Sequence, residues 1–213
     1  MAIAYLYDGG LYLAVTGRCT LACTFCPKVH GRWMVAGNDM HRDPEPTPDQ
    51  LLAAAEAIGL AQHHKVSFVG LGEPTLRLPV VVETGRRLRA AGHSVRVVTD
   101  GLASLRAGQD VSGDLAGAVD DVHVSLNAPD AETYARLCPS RYGQSAHAAV
   151  CDFIRAAQRH VPNVMATVVA VPGLDLHACA TLATKLGVGL RVRPYFSPVE
   201  GEPHETQGVT SEE

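Results

Sequence analysis

The sequence predicts an α/β protein built on a mainly parallel sheet, and three observations predict it. Six short runs rich in Val and Leu punctuate the chain, at 11–16, 65–69, 94–99, 122–126, 164–169 and 190–192. They are mostly continuous rather than alternating, the pattern of strands buried on both faces. Segments with helix-start and helix-stop signals separate them, as the crossovers between parallel strands require. This rhythm leaves two architectures open, a flat doubly covered sheet and a sheet curled into a partial barrel.

Taken in order, the first run leads straight into three cysteines. No period is visible from Pro27 to Pro46, a stretch that holds Trp33, the only tryptophan, with His30, Arg32, Asp39, His41 and Arg42. A structureless segment of this length inside a compact domain is either functional or a solvated excursion. Thr47-Pro48-Asp49-Gln50 offers a capping Thr, Pro at the first helical position and Gln where a capping box needs it, so a helix is expected through Gln62. Pro79 opens a second helix that Gly92 closes. Pro129 stands at the start of a third over 130–138, 146–160 reads as a fourth, and Asp175 caps a fifth that ends at Gly187. A second irregular loop, 138–145, begins at Cys138.

The 213 residues suit one domain, 1–198, followed by an acidic tail, 199–213. Hydrophobic content of 46% with 19% charged residues excludes a largely disordered chain. Aromatic content of 5% speaks against a base-stacking platform. The net charge of −4 is concentrated in the tail, where Glu200, Glu202, Glu205, Glu212 and Glu213 face no Lys or Arg. The near-neutral body gives no electrostatic case for nucleic acid or for an anionic membrane. The longest uncharged run, 161–174, is too short to span a bilayer and contains Pro162, Pro172 and Gly173. With no basic, apolar leader at the N-terminus, a cytoplasmic location is expected. Six cysteines in a reducing compartment then read as ligands, reactive thiols or core residues rather than disulfides.

Cys19, Cys23 and Cys26 form a C-x3-C-x2-C run directly after the first strand, so one loop can wrap a metal centre. Three readings are open: packed thiols; structural zinc, with His30 as fourth ligand; or a [4Fe–4S] cluster with three thiolates and one open iron. Cys138, Cys151 and Cys179 are isolated and supply no obvious fourth thiolate. Cys151 and Cys179 fall inside helices, as core residues do.

With Phe25 before its last cysteine, the run resembles the signature of the radical S-adenosylmethionine (SAM) superfamily. The other landmarks follow in that superfamily's order, each at the carboxyl end of an expected strand: Gly70-Leu71-Gly72-Glu73-Pro74, Thr99-Asp100-Gly101, Ser125-Leu126-Asn127, Pro172-Gly173, then Arg191 and Arg193. The stretches LYLAVTGRCTLACTFC, GLGEPTLRL, VHVSLNAPDAETYARLCPS, VVAVPGLD and RVRPYF are similar to the radical SAM proteins associated with TatD-family nucleases. Where that family often has Thr-Asn-Gly, this chain has Thr-Asp-Gly, which puts a fixed hydrogen-bond role for Asp100 in doubt.

The resemblance implies a partial (β/α)6 barrel of the TIM type, with its site at the carboxyl ends of the strands. It implies one [4Fe–4S] cluster on Cys19, Cys23 and Cys26, and SAM bound through Gly70, Gly72, Glu73, Asp100, Ser125, Asn127, Val171 and Arg193. The cluster would cleave SAM reductively to a 5′-deoxyadenosyl radical that takes hydrogen from an unidentified substrate. A flavodoxin- or ferredoxin-type donor is implied, the 27–46 loop would cover the barrel mouth, and Cys138 would donate a hydrogen atom to a product radical. A glycyl-radical-enzyme activase or a 7-carboxy-7-deazaguanine synthase-like enzyme would be of similar size. From another class, a zinc-binding interaction module would use Cys19, Cys23, Cys26 and His30.

Overall fold

The structure, a computed structural model, describes residues 2–41 and 44–197. The acidic tail expected at 199–213 lies outside the described residues. Strands β1 (Ala4–Tyr7) and β2 (Gly10–Leu13) form an antiparallel hairpin. Its two-residue turn places Asp8 and Gly9 at φ +46° and +69°, the left-handed pair that a tight hairpin demands. A 3₁₀ turn (Pro27–His30) and a small hairpin of β3 (Met34–Val35) and β4 (Asn38–Asp39) occupy the long stretch that showed no period.

Helix α1 (Pro48–Ala57) begins with the expected capping box, both halves of which are made. It stops short of Gln62 because Gly59, at φ +92°, breaks it into a separate 3₁₀ turn. Then follow β5 (Lys65–Phe68), α2 (Leu78–Ala90), β6 (Ser94–Thr99), α3 (Ala103–Ala107), β7 (Asp121–Ser125), α4 (Ala131–Leu137), α5 (Ser145–Ala157), β8 (Asn163–Val169), α6 (Leu176–Lys185) and β9 (Gly189–Arg193). Asp130 and Asp175 cap α4 and α6 by accepting from Thr133 N and Ala178 N, both at 2.8 Å.

The seven strands form one sheet in the order β1-β2-β5-β6-β7-β8-β9, parallel from β2 onward. Strand order follows chain order, and right-handed crossovers therefore put every helix on the same face. Leu11, Leu13, Val66, Phe68, Val95, Val97, Val122, Val124, Ala166 and Val168 point to that face. They form one core with Leu51, Val81, Leu88, Val150 and Ile154 of the helices. β9 and β1 remain unpaired edges, so the barrel is partial. The opposite, inner face carries Tyr12, Ser67, Arg96, His123, Ser125, Thr167 and Arg191 in register. Of the 27–46 segment, Met40 is buried beside Tyr5 and Ala14, with Val35 and Leu71 packed around them. The described part of the segment thus packs on the β1–β2 side of the sheet. No helix among the described residues is long and apolar enough to cross a membrane.

Candidate active site

The three-thiol loop leaves the carboxyl end of β2 and is clamped from three sides. On one side its backbone pairs with the chain around Cys138: Ala22 N donates to Pro139 O (2.8 Å), Thr24 N to Leu137 O (2.9 Å), and Leu21 bridges Ser140. From a second side Glu73 N donates to Arg18 O at 2.8 Å. From below, Thr20 Oγ1 donates to the Asp100 carboxylate. Arg18 forks onto Glu45 with two contacts of 2.9 Å, and Lys28 Nζ donates to Gly17 O at 3.0 Å. The loop is therefore preset by hydrogen bonds that need no metal.

Glycine is mandatory at one position of the Gly-Leu-Gly-Glu segment. A Cβ on Gly72 would lie 2.0 Å from Thr16 O and 2.8 Å from Arg18 O, inside the backbone that leads to Cys19. Its bare face is thus taken by the thiol loop, not by a cofactor. Gly70 meets Ala14 and Met40 at 3.1 and 3.5 Å, a tight but side-chain contact. The Glu73 side chain is also consumed by the fold: its carboxylate accepts from Thr75 N (2.9 Å), Thr99 Oγ1 (2.7 Å) and Asp100 N (2.6 Å). Burial, then the nearby Asp100 charge, pushes the Glu73 carboxyl up to about 7. Any contact of this segment with SAM must come from its backbone.

Asp100, expected among the cofactor residues, is likewise turned into the protein. It is 4% exposed and accepts from Leu102 N (2.8 Å), Thr20 and Arg106 Nη1 (3.1 and 3.2 Å). Asparagine cannot balance a guanidinium, so the aspartate here makes sense of Arg106. Neither Thr20 nor Arg106 stood out in the sequence: Thr20 lies 80 residues from Asp100, and Arg106, six residues from it, sits on a helix too short to show a period.

All three thiols are partly exposed. Burial, with smaller contributions from Glu73 and Asp100, pushes the Cys19 thiol up to about 12. Cys23 is raised by its hydrogen bond to the Cys138 thiol and by burial, and Cys26 mainly by burial. Holding them as thiolates takes a bound cation, which would release their protons. His30 Nε2 lies 2.8 Å from Thr24 O. A single zinc gathers its sulfurs to about 3.8 Å of one another. Among the described residues no group of three His, Cys, Asp and Glu side chains converges in that way. Three soft thiols on one loop at the strand ends are a donor set that fits an iron–sulfur cluster.

Asn127 stands at φ +55° at the end of β7, 3% exposed, its Nδ2 donating to Cys138 Sγ at 3.4 Å. Its Oδ1 is buried without a partner, as are Thr167 Oγ1 and Arg193 Nε. Burial holds the Arg193 guanidinium below its usual range, with smaller influences from Cys23, Arg191 and Cys138. Ser125 pairs in register with Thr167 on the inner face. Three buried polar atoms without partners near the carboxyl ends of β7, β8 and β9 are what a bound polar group would satisfy. Thr167 was missed, although strand alternation from Met165 places it inward. Val171 closes a tight turn, its N–H donating to Val169 O (2.7 Å) and its carbonyl accepting from Leu174 N (3.0 Å). A second lone pair of that carbonyl takes no backbone hydrogen bond among the described residues. Cys138 is 1% exposed, its sulfur covered by Asn127 and Cys23.

A half-barrel of parallel strands with a three-thiol loop at its carboxyl ends defines a class of metal-cofactor proteins. The family model of the radical SAM superfamily matches residues 13–186, and the chain belongs to that superfamily. Membership implies an iron–sulfur cluster and SAM. The chain is similar to a radical SAM methyltransferase from Sphaerobacter thermophilus, at 20% identity and TM-score 0.58 over 90% of this chain and 57% of that one. It is also similar to anSMEcpe with bound AdoMet (15%, TM-score 0.64, 91% and 54%) and to methylornithine synthase (17%, TM-score 0.59, 91% and 56%). At these identities the likeness is one of fold. The chain spans a little over half the length of these structures. No curated protein matches it in sequence.

Proposed function

We propose that the chain is a radical SAM enzyme in which Cys19, Cys23 and Cys26 hold one [4Fe–4S] cluster and leave one iron for SAM. A flavodoxin- or ferredoxin-type protein would supply the electron. When bound and reduced, that group supplies a 5′-deoxyadenosyl radical able to remove hydrogen from an unactivated carbon. The observation that carries the reading is the clamped thiol loop at the carboxyl ends of the strands, the same end at which Asn127 Oδ1, Thr167 Oγ1 and Arg193 Nε are buried without partners. In this reading Arg193 takes the methionine carboxylate, Thr167, Ser125 and Asn127 take the remaining polar atoms, and the Val171 carbonyl meets the adenine. Gly72, Glu73 and Asp100 hold the loop. Cys138 stays beside the cluster, and a hydrogen-atom donor there would need Asn127 and Cys23 to part.

The motif series along nearly the whole chain supports a place among the TatD-associated proteins of the superfamily. Free thiols suit the reducing cytoplasm. Anaerobic reconstitution tests the reading: about four irons per chain, and 5′-deoxyadenosine formed from SAM on reduction, both lost in Cys19→Ala. One zinc per chain with no SAM binding would replace it with the zinc module.

A further inference from the structure

Cys138 is not one of the three cluster cysteines, yet the fold sets it against one that is. The thiol loop and the chain after α4 run antiparallel: Leu21 bridges Ser140, Ala22 N donates to Pro139 O at 2.8 Å, and Thr24 N to Leu137 O at 2.9 Å. The register is unbroken, so Cys23 stands directly opposite Cys138. Because the bonds fall on either side of it, this is a non-hydrogen-bonded pair. The backbone groups agree: Cys138 N turns away to Tyr134 O (2.7 Å), and Cys23 O accepts from Cys26 N (2.9 Å). A pair of this kind brings its Cα atoms to about 4.5 Å with the side chains on one face. That lies within the roughly 4.4–6.8 Å that a disulfide spans.

The thiols meet as the backbone directs. Cys23 and Cys138 hydrogen bond through their sulfurs, and Asn127 Nδ2, donating to Cys138 Sγ at 3.4 Å, closes the other side. The two remaining ligand thiols are turned to their own loop: Cys19 Sγ accepts from Leu21 N at 3.4 Å, and Cys26 Sγ from the backbone of Lys28. Cys151 and Cys179 are buried on α5 and α6. The clamps on the loop are hydrogen bonds of the protein itself, so the Cys23–Cys138 contact exists without a cluster.

We propose that Cys23 and Cys138 form a reversible disulfide in the cluster-free chain, which removes one of the three cluster ligands and makes cluster loading depend on prior reduction. The bond itself does not rest on the radical SAM reading; its effect on cluster loading does. The oxidant is a small disulfide such as glutathione disulfide. Cys23, the partly exposed member, reacts first, and Cys138, 1% exposed, is reached through it. Cys23 Sγ bonds to one glutathione sulfur and expels the other as a thiolate, which takes the Cys23 proton. Cys138 Sγ then attacks Cys23 Sγ and expels the second glutathione, which takes the Cys138 proton. The chain gives up two electrons and two protons, and the oxidant becomes two thiols. A dithiol reverses both steps and returns Cys23 to the cluster set.

The test is anaerobic incubation of the full cluster-free chain with excess glutathione disulfide, alkylation of free thiols, and mapping of tryptic peptides without reduction. Fragment 19–28 carries Cys19, Cys23 and Cys26, and fragment 137–141 carries Cys138. The expected product joins the two through Cys23, with Cys19 and Cys26 alkylated. It should disappear in Cys138→Ser and persist in Cys151→Ser. The linked wild type, supplied with iron and sulfide, should retain no more iron than Cys23→Ser, and dithiothreitol should restore full uptake. The linkage is read on the wild type, so a variant that fails to fold leaves the test intact. A bond confined to fragment 19–28, a bond from Cys138 to Cys19 or Cys26, no bond, or full iron uptake by the linked chain overturns the proposal. Reduced wild type is assayed in parallel for iron and for 5′-deoxyadenosine from SAM. A chain that forms the bond but, when reduced, neither takes up iron nor cleaves SAM removes the radical SAM reading and keeps the disulfide. Iron uptake and SAM cleavage with no such bond keep that reading and remove the disulfide.

Discussion

Replacing Gly72 with Ala tests how the thiol loop is held. The added methyl would stand 2.0 Å from Thr16 O, 2.7 Å from Thr16 C and 2.8 Å from Arg18 O, all backbone atoms that no rotamer change can move. Ordinary contact would require the two segments to part by roughly 1.4 Å. Such overpacking costs about 1–3 kcal/mol. Parting also stretches the Glu73 N to Arg18 O hydrogen bond of 2.8 Å, which adds about 1 kcal/mol. A total near 3 kcal/mol lowers the melting temperature of a chain this size by about 6–12 °C. Because the displaced backbone runs into Cys19, iron retained after reconstitution should fall with it. Gly113→Ala is the control: its Cβ would meet only the His160 ring, at 3.7 Å or more, and its effect should stay within about 0.5 kcal/mol. Scanning calorimetry and iron assay on the three proteins decide the matter. A Gly72→Ala protein that melts within about 2 °C of wild type and keeps its iron would refute the packing account.

Thr167→Val replaces a buried hydroxyl that has no partner with a methyl of similar shape, so the protein without cofactor should hold or gain up to about 1 kcal/mol. SAM binding by the reconstituted variant, followed by equilibrium dialysis, should weaken about fivefold, and unchanged affinity would remove Thr167 from the cofactor contacts. Asp100→Ala strips Leu102 N, Thr20 and the buried Arg106 of their acceptor, and a loss of about 3–5 kcal/mol in urea unfolding is expected. The Asp100→Ala/Arg106→Ala double variant should lose less than the two single variants together. The Glu73 carboxyl is raised in the folded state to about 7 from 4.5, by burial and by Asp100. Its contribution is therefore fully present below the unfolded value and is lost as pH climbs through about 7. Urea midpoints should fall between pH 5 and pH 8 in the wild type and stay flatter in Glu73→Gln; parallel profiles would contradict it.

Much of this was readable along the chain. The capping box at Thr47, the aspartate cap at Asp175 and the six parallel strands were legible because each depends on a few adjacent side chains; the Asp130 cap was missed, since Pro129 reads as the helix start and sets Asp130 within the helix. The β1 strand was missed although Asp8-Gly9 between apolar runs is a hairpin signal. Helix α3 was missed because Ala103–Ala107 is too short to show a period. The order of site motifs was also visible, since each stands at a strand end. What those residues do was less so. Glu73 and Asp100 read as cofactor ligands, yet both carboxylates are spent on Thr75, Thr99, Thr20 and Arg106.

By itself the sequence determined the alternation of strand and helix, the parallel sheet and the place of three thiols on one loop. Hydrophobic runs, caps and cysteine spacing are local properties, and local physics suffices to read them. Only the tertiary structure decided which polar atoms are satisfied. It showed that Gly72 serves the thiol loop and that Thr167, Asn127 and Arg193 hold unpartnered atoms near the carboxyl ends of β7, β8 and β9. Hydrogen-bond satisfaction and charge balance are sums over every neighbour in space, and those neighbours come from strands far apart in the chain.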